Sequence, residues 1–108
     1  FFMPHFTYIL YSPSRKAFYK GRTTDMDKRM RYHNGGHEKH TAKGVPWTLL
    51  WRTEKPTAKQ AIRLERKLKN LTRIRLLQFI LNYPDDIPDE HTRLLVQQLL
   101  QNERNRKN

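Results

Sequence analysis

Glu65 falls where a carboxylate is hard to accommodate. On a helical wheel it lies inside the apolar stripe, between Ala61, Ile62 and Leu68, and an unpaired carboxylate is costly to bury there. It needs a positive partner, either a neighbouring guanidinium or a metal ion. Arg63, Arg66 and Lys67 project elsewhere from the same helix, so a salt bridge within the helix is not the obvious solution. A hard divalent cation such as Mg²⁺ takes oxygen ligands and keeps several waters, so one carboxylate suffices when a phosphate supplies the rest.

Two tyrosines and a glycine form a second group. Alternate residues of a strand share a face, so Tyr19 and Gly21 lie together, and a suitable hairpin register brings Tyr8 to the same side. The alternative is that both are ordinary aromatic strand residues, but a glycine inside a strand often marks close approach of backbone or ligand. Arg29 and His33 are four positions apart and project from one side of a helix, with Met26 and Met30 placing that side near the core. An arginine at the edge of an apolar face suits a phosphate, which its planar fork grips in two places; otherwise its stem covers apolar area. His33, His37 and His40 have metal-ligand character, and His33 with His37 has the spacing of a helical zinc pair. Gly35 and Gly36 stand between them and should end the helix, so a solvated loop carrying His37 and His40 is the better reading.

The elements that must position these groups follow from pattern. His5 to Tyr11 is aromatic and β-branched and predicts a strand. Ser12-Pro13-Ser14 is turn chemistry, and Ala17 to Arg22 reads as the returning strand, ended by Gly21. Thr23, Thr24, Asp25 and Asp27 open a helix that stops at Asn34-Gly35-Gly36. A polar loop from His37 to Pro46 leads to a third strand from Trp47 to Thr53, where Trp47, Leu49 and Trp51 alternate. Thr57 caps a helix to about Asn70, with Ala58, Ala61, Ile62, Leu68 and Leu71 as its stripe. A shorter helix spans Thr72 to Leu81. After Pro84-Asp85-Asp86-Ile87-Pro88, the residues Leu94, Leu95, Leu99 and Leu100 make a final amphipathic helix before a frayed polar tail. A hairpin and a third strand covered by helices make a small α/β sandwich.

With 108 residues the chain fits one domain. Lys and Arg number 22 against 10 Asp and Glu, a formal charge of +12; a polyanion is the natural partner, because each phosphate neutralised releases condensed counterions. The basic residues spread over nearly every segment, which favours a nucleic-acid face over a membrane-binding helix. No cysteine is present, which excludes disulfides and thiolate metal sites and fits a reducing, cytoplasmic setting. No apolar run approaches a membrane span, and no signal-peptide pattern is visible. Phe1 and Phe2 precede Met3, and Met3 is expected to be the natural start.

Taken in order, Thr7-Tyr8-Ile9-Leu10-Tyr11, Phe18-Tyr19-Lys20-Gly21-Arg22-Thr23, Asp25 to Arg29, Tyr32-His33-Asn34-Gly35, Trp47 and Leu64-Glu65-Arg66-Lys67-Leu68-Lys69 resemble a GIY-YIG domain over roughly Phe6 to Ile80. The chain is most similar to small stand-alone members, which resemble the nuclease module of the UvrC excinuclease subunit. The resemblance implies an α/β (α+β type) fold with a three-stranded antiparallel sheet flanked by helices. Residues 1–81 would form that domain and 82–108 a C-terminal helical extension packed on or beside it. It also implies a metal-dependent endonuclease cutting DNA by structure rather than sequence, in repair or recombination, with Mg²⁺ or Mn²⁺. Carried onto this chain, Tyr8 and Tyr19 match the tyrosines of the two motifs, Arg29 the helix arginine, His33 the histidine of small members, Glu65 the metal-binding glutamate and Gly21 the closing glycine. Tyr19 would then help deprotonate the attacking water, aided by Tyr8 or His33, with Arg22 and Arg29 favouring phenolate and clamping phosphate. Arg22, Lys43 and Lys69 are the expected nucleic-acid contacts. Three departures stand out: Thr7-Tyr8 for Gly-Ile-Tyr, Lys20 where an apolar residue is usual, and no match to an asparagine that some relatives carry after the glutamate helix. The alternative is a binding module of the same fold that has lost catalysis.

Overall fold

β1 (His5–Ser12) is the central strand of a three-stranded antiparallel sheet, with β2 (Ala17–Thr23) and β3 (Thr48–Lys55) at its edges. The structure, a computed structural model, describes residues 3–106; residues 1, 2, 107 and 108 lie outside the described residues, and with them the expectation about Phe1 and Phe2. Between β2 and β3 comes α1 (Met26–Asn34), and after β3 follow α2 (Ala58–Lys69), α3 (Arg73–Asn82) and α4 (Glu90–Arg106). Single 3₁₀ turns occupy Ala42–Gly44 and Pro84–Asp86.

Register decides which side chains meet. Tyr8 pairs with Gly21 and Leu10 with Tyr19, so both phenols and the glycine share one face. Ile9 pairs with Lys20 and Thr7 with Arg22 on the other. Gly21 does not end β2; the strand continues to Thr23, and the glycine sits inside it. Along β3 the expected alternation fails. Ile9 pairs with Trp51 and Leu10 with Leu49, leaving Leu50 as the extra residue of a β-bulge. The bulge turns Trp51 into the larger core while Trp47 and Leu49 stay with the smaller one.

Each face of the sheet carries its own core. On the tyrosine face α1 brings Met26 and Met30 against Tyr8, Leu10 and Trp47. The opposite face packs Ile9, Leu50 and Trp51 against Leu68 of α2, Leu76, Leu77 and Ile80 of α3, and Val96 and Leu100 of α4. Helix starts are fixed by capping side chains: Asp25 accepts from Lys28 N at 3.0 Å, and Thr57 and Thr72 accept from Gln60 N and Arg75 N, each at 3.2 Å. Thr7 Oγ1 donates to the Ala61 carbonyl at 2.8 Å and pins α2 onto β1. The final helix differs from its expected form in two ways. Its buried stripe is Thr92, Val96 and Leu100, with Leu94 52% exposed. The polar segment after Leu100 stays helical to Arg106, where Glu103 accepts from Arg73 of α3 at 3.0 Å.

Candidate active site

Gly21 makes room for the first group. A β-carbon built on it would lie 2.6 Å from Tyr8 Oη and 2.9 Å from Tyr19 Cε2. Only a bare backbone lets both phenols reach this point of the edge strand. Their ring centroids are 6.2 Å apart, and the Tyr19 ring lies 4.9 Å from that of His33, edge-on.

His33 is fully buried and has both ring nitrogens in use. Nε2 lies 2.9 Å from Tyr8 Oη, and Nδ1 lies 2.9 Å from Thr41 Oγ1. Thr41 Oγ1 in turn donates to the Glu38 carbonyl at 3.4 Å. With that hydroxyl proton committed, Nδ1–H donates to Thr41 and Nε2 accepts the Tyr8 O–H, so the chain of bonds runs in one direction. The loop carrying Thr41 is held by Trp47, whose Nε1 donates to the Thr41 carbonyl at 2.7 Å. Asn34 fixes Trp47 from α1: its Oδ1 accepts from Trp47 N at 2.6 Å and its Nδ2 donates to Trp47 O at 3.3 Å. Thr41 did not stand out in the sequence, because it lies on no periodic element; Asn34 reads there as the helix stop and as part of a motif, not as the residue that holds Trp47. His33 is so engaged and His37 stacks on Tyr32, and among the described residues no histidine triad is placed to hold zinc.

Burial is the leading influence on all three groups. It raises both phenols above their ordinary range, Tyr8 by more than Tyr19, and lowers His33. Arg29 opposes the phenol shifts and adds to that of His33. Arg29 does favour phenolate on both rings, as expected, and Lys69 favours it on Tyr19; the expected influence of Arg22 is not seen, and desolvation outweighs these cations.

Glu65 approaches from α2, and its charge bears on both phenols. Its partners are Arg22 of β2, with Nε 3.4 Å from Oε1, and Lys69, with Nζ 3.2 Å from Oε2. The second pair is internal to the helix, a solution that Arg63, Arg66 and Lys67 did not make obvious: Lys69 lies one turn on from Glu65. Arg22 and Lys69 side chains are 49% and 55% exposed against 16% for Glu65, so the carboxylate is fixed while its partners reach in from solvent. Arg29 stacks over Tyr32 at 5.4 Å and, with Thr23, Thr24 and Lys28, lines a cavity of about 560 Å³ at the start of α1. Lys43 is exposed on the turn after Thr41, and among the described residues no hydrogen bond or ion pair joins it to the cluster. Lys20 lies on the α2 side of the sheet, away from Tyr19, as its register requires.

Comparison with known proteins places this arrangement. The GIY-YIG catalytic domain family matches residues 4–77. A UPF0213 protein of Halalkalibacterium halodurans is 33% identical over 79 residues, covering 72% of this chain and 83% of that one. A UPF0213 protein of Bacillus velezensis is 34% identical over 77 residues, covering 70% and 77%. The solution NMR structure of the UPF0213 protein from Bacillus halodurans, 33% identical, aligns over 72% of this chain and 83% of that one with a TM-score of 0.48. The chain belongs to the GIY-YIG catalytic domain family, whose members are typically nucleases.

Proposed function

We propose that this protein is a metal-dependent endonuclease that hydrolyses phosphodiester bonds in DNA, directed by the structure of the substrate rather than its sequence, in repair or recombination. The observation that carries the reading is the bond from Tyr8 Oη to His33 Nε2 at 2.9 Å, beside Tyr19 and within reach of the Glu65 charge. A neutral phenol serves as a base only if its own proton leaves as it takes another. Tyr8 has an acceptor for that proton. Tyr8 therefore takes the proton of the attacking water as it passes its own to His33, and Thr41 holds the Nδ1–H of the imidazolium that forms. Gly21 leaves the room in which both phenols meet. Tyr19, half-buried, orients that water or a phosphate oxygen, and Arg29 grips the phosphate.

The donor set fits a hard divalent ion. A single fixed carboxylate, Glu65, suits Mg²⁺ or Mn²⁺ held jointly by protein, water and substrate phosphate, and its two exposed cationic partners can turn outward onto the nucleic acid. When bound, such an ion would stabilise charge on the scissile phosphate and the leaving oxygen. Glu65→Gln and Tyr8→Phe should each abolish cleavage of branched or flapped DNA in Mg²⁺ while retaining the folded structure and DNA binding; normal cutting by both variants defeats the assignment. One observation favours a second reading, a binding module without catalysis: Glu65 is already neutralised by Arg22 and Lys69. DNA binding with no cleavage by the unaltered protein in either metal would establish it.

A further inference from the structure

α2 carries a second charged feature on the side away from Glu65. Lys59, Arg63 and Lys67 follow at four-residue intervals, forming one exposed row with about 6 Å between members. Among the described residues none of the three has a carboxylate within ion-pair distance. Like charges one turn apart weaken a helix by a few tenths of a kcal/mol per pair, whereas a merely solvated face usually mixes signs.

The row borders three surface hollows that share lining residues and together form a groove-like run. A cavity of about 480 Å³ under Lys59, Arg63 and Arg66 shares Arg63 with a second of about 280 Å³, which is also lined by Lys55 and Lys67. Lys55 and Lys67 continue into a third of about 220 Å³ that ends at Tyr83. Its one acidic lining residue is Asp86, at that far end. The groove follows the β3 edge of the sheet, which contributes Lys55, while Glu65 faces Arg22 on the β2 edge. Two strand spacings, about 10 Å, separate those edges.

We propose that this groove holds the sugar–phosphate backbone of a second segment of the nucleic acid, apart from the segment presented to Tyr8 and Glu65. The proposal rests on the nucleic-acid reading of the site, though not on catalysis. Phosphates along the groove would displace condensed counterions, and Arg63 supplies a bidentate fork at its middle. The domain would thereby engage two arms of a branched substrate.

The test compares two triple variants of the full chain: Lys59→Gln/Arg63→Gln/Lys67→Gln, and a control of equal charge loss at exposed positions elsewhere, Arg15→Gln/Arg75→Gln/Arg104→Gln. Binding of fluorescein-labelled forked DNA is followed by anisotropy across a salt series with chelator present. The groove variant should bind at least about tenfold more weakly, with a slope of log affinity on log salt shallower by about two to three. The control should stay close to the unaltered protein. Equal losses in both variants, or no loss in the first, overturn the proposal. So does loss of binding to phosphatidylserine vesicles by the groove variant with DNA affinity intact. Because chelator stops any metal-dependent cutting, a chain that binds through the groove yet never cleaves would refute the hydrolase reading alone.

Discussion

Thr41 Oγ1 and His33 Nδ1 lie 2.9 Å apart in the interior, eight residues from each other in sequence. That bond selects the tautomer whose Nε2 accepts from Tyr8. Thr41→Val keeps shape and removes the acceptor, freeing the imidazole to place its proton on Nε2, where it cannot receive another. The expected outcome is a fall in kcat of about tenfold or more with little change in KM, in line with the contribution of one positioned acid–base group. Thr41→Ser should restore most of it. Equal activity in the valine and serine variants would show that the threonine only packs.

The same histidine sets a pH dependence for stability. His33 is buried neutral and its pKa is lowered, with burial as the first cause. A depressed folded-state pKa means that the unfolded chain binds more protons, so stability falls as pH drops below the ordinary histidine value near 6.5 and levels off below the folded-state pKa. Urea denaturation at pH 7.5 and at pH 5 should show a loss in the unaltered protein that is smaller in His33→Gln. A loss of the same size in both would place its origin elsewhere. Activity should rise with pH over the same window, because only neutral His33 accepts the Tyr8 proton.

How much of this was legible beforehand depended on whether the signal was periodic. The strands and helices announced themselves through alternation and caps, and Tyr8, Tyr19 and Gly21 came together because a hairpin register has few options. The bulge at Leu50 did not, since one unpaired residue leaves no compositional mark and reverses the side of Trp51. Lys69 pairs with Glu65 from one turn on, whereas Arg63, Arg66 and Lys67 are nearer in sequence but project elsewhere. In α4, four leucines outweighed Val96, yet only Leu100 of those four is buried, and Leu94 faces out. Thr41 was beyond reach: its role exists only once a loop folds back onto α1.

Gly21 offers a steric test of the phenol pair. A methyl group there would meet Tyr8 Oη at 2.6 Å and the Tyr19 ring at 2.9 Å, and both rings are packed against other aromatic groups. Gly21→Ala should destabilise by about 1–3 kcal/mol, the usual cost of overpacking, and slow cleavage as the rings shift. Adding Tyr8→Phe removes the nearest clashing atom, so urea denaturation of the double variant should show part of the stability restored. Additive losses would mean that the hydroxyl is not what the methyl meets.

Lys69 provides the final prediction, because it competes for the carboxylate that would hold the ion. Its Nζ lies 3.2 Å from Glu65 Oε2 with the side chain 55% exposed, a geometry that contributes at most about 1 kcal/mol. Lys69→Met withdraws that competition and leaves the helix intact. Titration calorimetry with Mn²⁺ and no DNA should therefore show binding tighter by about two- to fivefold. At the same time DNA affinity should fall, since a phosphate contact is lost. These two movements in opposite directions distinguish an ion site at Glu65 from a simple salt bridge: if Mn²⁺ binding is unchanged in Lys69→Met and equally unchanged in Glu65→Gln, the carboxylate does not hold the metal.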